Sequence, residues 1–482
     1  MTTRPGLLTC KGLCAILVRR GNQLSARTVG VIDIGKSNAK FAVVDLETRT
    51  EIDVRKRPNR VVSEAPYPHY DIAGTWEFLC DSITELNRNH PLDALSVTTH
   101  GACAALVDGA GNPALPVLDY EYSGPDKLKR AYDQIRPDFY ETFTPRLPGG
   151  LNLGAQLFWQ SQTFAEEWAR TRWILPYPQY WGFRLTGVPS SEITSLGCHT
   201  DLWNFETDLY SSLVLRQGWL EKMPGVRPAY EVLGVVQPDL GRQLGLRAST
   251  PVHVGIHDSN ASLLPHLLEH TPPFSVVSTG TWVIIFAPGG DLASLDPARD
   301  CLANIDVFGR PVPSSRFMGG REYAQLVGTT PPGHISDAAV ARVLDDAIML
   351  LPSVTQGSGP FPNRRSRWSR PETLIDTEAR FVAVSFYLAL MTAECLALTG
   401  ADGNTVVEGP FASNRLFIEM LAAATGRPVE AMASSQTGTS IGAALLADMR
   451  RKAGERQAPA APEPSARMTA YASKWRQAVA KG

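Results

Sequence analysis

A carboxylate that could accept a proton stands at Asp258, at the end of Val252-His-Val-Gly-Ile-His-Asp258. The apolar run before it reads as a strand over 252–256, Gly255 allows a sharp turn, and a helix is expected over 261–269. Acids at the carboxyl ends of strands lie where the clefts of α/β sheets bind ligands. Such a group can deprotonate an attacking hydroxyl that comes within hydrogen-bond reach. The simpler alternative is an Asp that caps the following helix.

Two glycine turns suggest what the hydroxyl would attack. Residues 28–45 and 274–287 each run apolar strand, short polar turn, apolar strand, the pattern of a β-hairpin. The first turn is Asp33-Ile-Gly35-Lys36-Ser37-Asn38-Ala-Lys40, and the second is Ser278-Thr279-Gly280-Thr281. Successive backbone N–H groups in such turns form concavities for phosphate. Gly35 and Gly280, without Cβ atoms, are expected to take strained turn angles and let an anion approach. One hairpin per half suggests two lobes gripping a polyphosphate. Asp33 could hold Mg²⁺ through water, or it could brace its own turn. Lys36 and Lys40 could neutralise phosphate, or stand solvated.

Other residues could recognise a polyol. His100 and Gly101 close a strand over 94–99, and Asp119 and Glu121 follow a proline-bounded turn. His257 next to Asp258 invites a metal reading together with His253, but no third ligand converges on that pair. Val406-Val-Glu-Gly-Pro-Phe-Ala-Ser-Asn414 reads as strand, turn and helix start. Gly409 would admit a ring or phosphate beside Pro410, and Asn414 would open the helix. The small residues of 436–444 would pack beside an adenine.

The elements that position these groups fall into two lobes, as expected for 482 residues. The boundary is placed at Pro272-Pro273, giving an N-terminal extension 1–27, lobes 28–270 and 271–448, and a tail 449–482. Hydrophobic content of 44% and charged content of 20% are those of a globular chain. A net charge of −2 gives no electrostatic footprint for nucleic acid. No apolar run is read as long enough to cross a bilayer. The seven scattered cysteines argue for a reducing compartment, and a cytoplasmic location is expected.

Taken in order, the motifs resemble the FGGY family of carbohydrate kinases, within the actin-like ATPase superfamily. The likeness covers about residues 28–448: the Asp33–Lys40 turn, Arg184-Leu-Thr-Gly187 with Glu192 and Ser195, Gly255-Ile-His-Asp258, Ser278–Thr281, and Glu408-Gly409 with Gly426-Arg-Pro-Val429 and Gly442-Ala-Ala-Leu445. It implies an α/β fold of two ribonuclease-H-like domains flanking a cleft, with sugar in the first and nucleotide in the second. It also implies transfer of the γ-phosphoryl group of ATP to a ketose hydroxyl, with Asp258 as base and Asp33 near Mg²⁺. The sugar-side residues would be His100, Gly101, Asp119, Glu121 and His257. Expected partners are a small sugar and ATP, without nucleic acid or membrane; a homodimer is compatible. Lys36 stands where many members carry Thr, a form associated with the L-fuculose and L-rhamnulose kinase-like branch, Pro410 replaces a Gly, and Gln156 stands where Lys is frequent. An inactive sugar- or nucleotide-binding regulator on the same fold is the alternative.

Overall fold

The computed structural model describes residues 26–328, 333–432, 438–450 and 465–481. Most of the expected extension, with Cys10 and Cys14, lies outside them, as do Gln436, Thr437 and the proline-rich part of the tail.

Both expected hairpins form. Thr28–Ile34 pairs antiparallel with Asn38–Asp45, and Phe274–Thr279 pairs antiparallel with Val283–Phe286. Around each, the same sheet is built. On one side a third antiparallel strand adds, Thr50–Pro58 in the first lobe and Pro311–Phe317 in the second. On the other side come two parallel strands, Ala94–Thr99 then Pro251–His253, and Asn404–Glu408 then Val429–Ala431. The repeated order is that of two ribonuclease-H-like lobes. Val29, Val31, Ile32 and Ile34 are all fully buried. A strand covered on both faces by other elements reads as a continuous apolar run, as this one does.

The expected strand over 252–256 is broken. Pro251–His253 and Ile256–His257 are separate strands, with Gly255 at φ +91° between them. A Cβ there would lie 2.8 Å from the Val97 carbonyl oxygen, so only glycine lets the chain turn against its neighbour. The helix behind it runs Asp258–Glu269, so Asp258 is its first residue and His257 its N-cap.

The lobes share a core. Val29, Val31, Ile256 and Leu264 pack in one cluster with Phe274, Val276, Ile441 and Leu445. The helix Thr439–Leu445 meets helix Asp258–Glu269 so closely that a Cβ on Gly442 would lie 1.7 Å from the Ala261 carbonyl oxygen. Of the small residues expected to pack beside an adenine, Gly442 permits this helix contact.

Two further expectations change. The end of the expected tail 449–482 belongs to the second lobe: helix Ala466–Lys481 buries Met468, Tyr471, Trp475 and Val479. Its Tyr471 hydroxyl and Trp475 Nε1 donate to the Ile348 and Leu350 carbonyls at 2.7 and 2.8 Å. Buried polar tips on apolar bodies need such partners. Among the described residues one helix, Thr377–Leu398, is long and apolar enough to cross a bilayer by length and composition, contrary to expectation. Most of it is buried as the central helix of the second lobe, where an all-round apolar surface is what packing demands.

Candidate active site

Asp258 projects from the start of its helix with 28% of its side chain exposed. Its Oδ1 lies 3.2 Å from His257 Nε2 and accepts from the Ser259 hydroxyl at 3.3 Å. Burial pushes its carboxyl up to about 6; His100 opposes the shift and the negative charge of Asp33 adds to it. A base poised near working pH is what proton transfer requires. The segment is braced from behind. The His257 N–H donates to Thr194 Oγ1 at 3.1 Å, and that hydroxyl donates to Glu192 at 2.6 Å. Glu192, fully buried, caps the helix Ile193–Leu196 through the Thr194 and Ser195 N–H groups. By contrast, Arg184 stacks on Trp76 at 4.3 Å, a structural contact.

His100 and Gly101 stand on the same side. Burial pushes His100 down to about 4, so the ring is neutral at pH 7. Its Nε2 and His257 Nδ1 are both buried without partners among the described residues. Unsatisfied buried nitrogens of this kind await a ligand or water. Gly101 contributes by what it lacks: a Cβ there would lie 2.7 Å from His257 Nε2.

The first hairpin turn is held by Asn59, a residue that no motif singles out. Asn59 Nδ2 donates to the Gly35 carbonyl and its N–H to the Ser37 carbonyl, both at 2.9 Å. The Gly35 N–H donates to the Asn38 carbonyl at 2.9 Å, leaving Ser37 and Asn38 exposed at the tip. Neither Gly35 nor Gly280 adopts a left-handed backbone, correcting the expected turn strain. A Cβ would meet only Asn38 O at 3.6 Å and Trp282 O at 3.8 Å, so their bareness matters for access alone.

Contrary to the reading that Lys36 and Lys40 neutralise phosphate, both are engaged by carboxylates. Lys36 turns away from the hairpin tip, bonding Asp119, pairing with Glu121 at 3.2 Å and lying 4.6 Å from the centre of the Tyr120 ring. Asp119 also accepts from the Tyr70 hydroxyl at 3.3 Å. Lys40 pairs with Asp33 at 3.1 Å and Glu51 at 2.8 Å. Burial disfavours the Lys40 ammonium, yet these carboxylates outweigh it and raise its pKa. Asp33 Oδ2 further accepts the Thr439 and Ser440 hydroxyls at 2.5 and 2.8 Å, tying the first hairpin to the inter-lobe helix. Asp33 and Asp258 sit close enough to influence one another. Two neighbouring carboxylates fit Mg²⁺, which takes one or two of them together with substrate phosphates.

In the second lobe, Gly280 and Thr281 open onto a cavity of about 990 Å³ that Pro410 and Asn414 also line. That size suits a nucleotide-scale ligand. Thr279 works behind the wall: its hydroxyl donates to the Glu408 carbonyl at 2.6 Å and accepts from the Phe411 N–H at 3.0 Å. Ser278 lies beside it in the strand. Gly409 has φ +81°, and a Cβ there would lie 2.0 Å from the Thr279 carbonyl oxygen. Pro410 is accommodated as the first residue of the short helix Pro410–Ser413, where a missing N–H costs nothing. Asn414 caps the helix Arg415–Thr425, its Oδ1 accepting from the Phe417 N–H at 3.2 Å. The sequence left out Gly320, whose Cβ would lie 2.0 Å from the Gly280 carbonyl oxygen, and the ring walls Tyr323 and Phe381. Gly426 ends a helix at φ +66° and does not line this cavity.

Comparison with known proteins decides the family. Residues 28–265 match the model of the FGGY family of carbohydrate kinases, N-terminal domain, and residues 271–457 match that of carbohydrate kinase FGGY, C-terminal domain. The chain belongs to the FGGY family of carbohydrate kinases. This FGGY chain is 34% identical to a carbohydrate kinase from Novosphingobium aromaticivorans of known crystal structure. The match has a TM-score of 0.85 and covers 95% of this chain and 100% of that one. It is 25% identical over 228 residues to an L-fuculokinase of Salmonella typhi, covering 46% of this chain and 48% of the relative. It is 23% identical over 265 residues to a probable L-xylulose kinase of Pasteurella multocida, covering 53% and 54%. The chain thus spans about half the length of the curated relatives it matches.

Proposed function

We propose that this FGGY chain transfers the γ-phosphoryl group of ATP to a hydroxyl of a free ketose. The observation that carries the reading is the Asp258 carboxylate, partly exposed at a helix start and raised to about 6. It takes the hydroxyl proton as the sugar oxygen bonds to phosphorus, and ADP leaves. Asp33 would hold Mg²⁺ through water, leaving the Asp258 carboxylate free as the base, and the ion would neutralise charge on the phosphates. Gly280, Thr281 and the turn at Gly409 border the space for the nucleotide. His100, His257, Asp119, Glu121 and Lys36 orient the sugar. Most of the work asked of such a site is positioning and charge stabilisation.

The relatives named for L-fuculose and L-xylulose point to the ketose class. ADP release, measured with L-fuculose, L-rhamnulose, L-xylulose, L-ribulose, D-xylulose, erythritol and glycerol, should single out one or two ketoses. ATP turnover that no acceptor stimulates would overturn the reading. Because the base works only as a carboxylate, log(kcat/KM) should fall with unit slope below about pH 6. A profile flat through that region would remove Asp258 from the role.

Lys36 offers a second check. Lys36→Met should raise the sugar KM roughly tenfold, since it leaves the buried Asp119 carboxylate without its cation. The ATP KM should change less than about twofold, because the ammonium faces the sugar side. The opposite pattern would return Lys36 to the phosphates.

A further inference from the structure

Cys198, His199 and His257 come together beside the acceptor site, each offering one ligand atom within 4.8 Å of the others. The metal reading of His253 with His257 lacks a third ligand, and His253 is indeed elsewhere, its Nδ1 on the Tyr230 carbonyl at 2.9 Å. The third ligand comes instead from a loop distant in sequence. We propose that Cys198, His199 and His257 form a site for one thiophilic divalent cation of the zinc class.

Four observations converge on it. Thiolate with two imidazoles is a donor set that zinc favours, with the fourth position left to water or a ligand. His257 is buried, and its Nδ1 has no partner among the described residues. Both imidazoles are held at their other nitrogen in the way metal-bound histidines are: His257 Nε2 lies 3.2 Å from the Asp258 carboxylate, and His199 Nδ1 lies 2.9 Å from the Leu151 carbonyl oxygen. Finally, His199 and Asp201 have φ of +42° and +63°, a backbone that non-glycine residues adopt at a cost. Arg316, the cation that acts on Cys198 and His199 from the second lobe, is itself paired with Asp300 at 3.2 Å.

The consequence rests on the kinase reading, whereas the binding does not. His257 and Gly101 border the acceptor side, and a Cβ on Gly101 would lie 3.4 Å from His199 Cε1. An ion held there draws the His257 ring onto itself and occupies space next to Asp258, so it competes with the sugar.

The test uses the full chain, freed of metal by chelation, titrated with Co²⁺ and then Zn²⁺. One Co²⁺ per chain should bind with thiolate-to-metal charge-transfer absorption and tetrahedral d–d bands, and Zn²⁺ should displace it. The absorption should persist in Cys10→Ser/Cys14→Ser, which removes the two thiols closely spaced in the sequence, and vanish in Cys198→Ser. His199→Asn should weaken binding at least tenfold. ADP binding by each variant reports an intact fold, and His199→Asn decides if Cys198→Ser fails that control. Native Co²⁺ affinity in a folded Cys198→Ser or His199→Asn chain, or no thiolate band in the native chain, overturns the site. If Zn²⁺ binds but its inhibition does not weaken with rising ketose, the competition fails while the site stands. Failure of every acceptor to release ADP would count against the kinase reading alone.

Discussion

Asp258→Asn is expected to lower phosphoryl transfer about 10³-fold, the scale of a lost general base. The amide keeps the size of the carboxylate and its contacts with His257 and Ser259, so ATP affinity should stay within about twofold. Rapid-quench measurement of ADP formation, beside calorimetric ATP binding, separates the two quantities. Turnover near that of the native chain would remove Asp258 as the base. The same substitution carries a stability signature. The carboxyl has a folded value of about 6 against its ordinary 3.8, so folding disfavours the ionised form. That cost is absent below the ordinary value and fully present above about 6. The Tm gain of Asp258→Asn should therefore grow as pH rises through this window. A residue that costs stability where it serves chemistry is a known trade-off.

Gly442→Val should be the most damaging change away from the chemistry. Its Cβ would lie 1.7 Å from a backbone oxygen, at Ala261, and backbone cannot swing aside as a side-chain tip can. Forced overpacking of this kind costs about 3 kcal/mol or more. Both helices lead into the site: one begins at Asp258, and the other brings Thr439 and Ser440 to Asp33. Activity should fall along with the urea midpoint. Gly109→Ala, where a Cβ meets nothing within 4 Å, should leave both unchanged. A Gly442→Val chain with the native midpoint would show that the helices can separate freely.

The two hairpins were legible because strands buried on both faces carry long β-branched runs and the turns between them are short and polar. Asp258 was legible as a candidate base because a strand end, a glycine and a helix start meet at one place. What was hidden is tertiary. The partner of Lys36 lies 83 residues along the chain, so nothing local tells that its ammonium turns to Asp119 rather than to phosphate. Cys198 and His199 sit in an irregular connection without periodicity, and only the packing of that loop carries them to His257. The glycines and alanines of 438–444 suited a ligand and a helix contact equally well by size, and only the fold shows that Gly442 meets a helix. The last helix did announce itself. Met468, Tyr471, Trp475 and Val479 recur at helical spacing, a buried stripe that composition alone obscures behind the prolines before it.

The bare crossing of Gly442 on Ala261 also sets a lever. Ala261 lies one helical turn beyond Asp258, so any rocking of the halves about that fulcrum barely shifts the acid. Any point farther from it would, for the same rotation, move through a longer arc. A rotation of one lobe about that crossing would therefore leave Asp258 nearly in place.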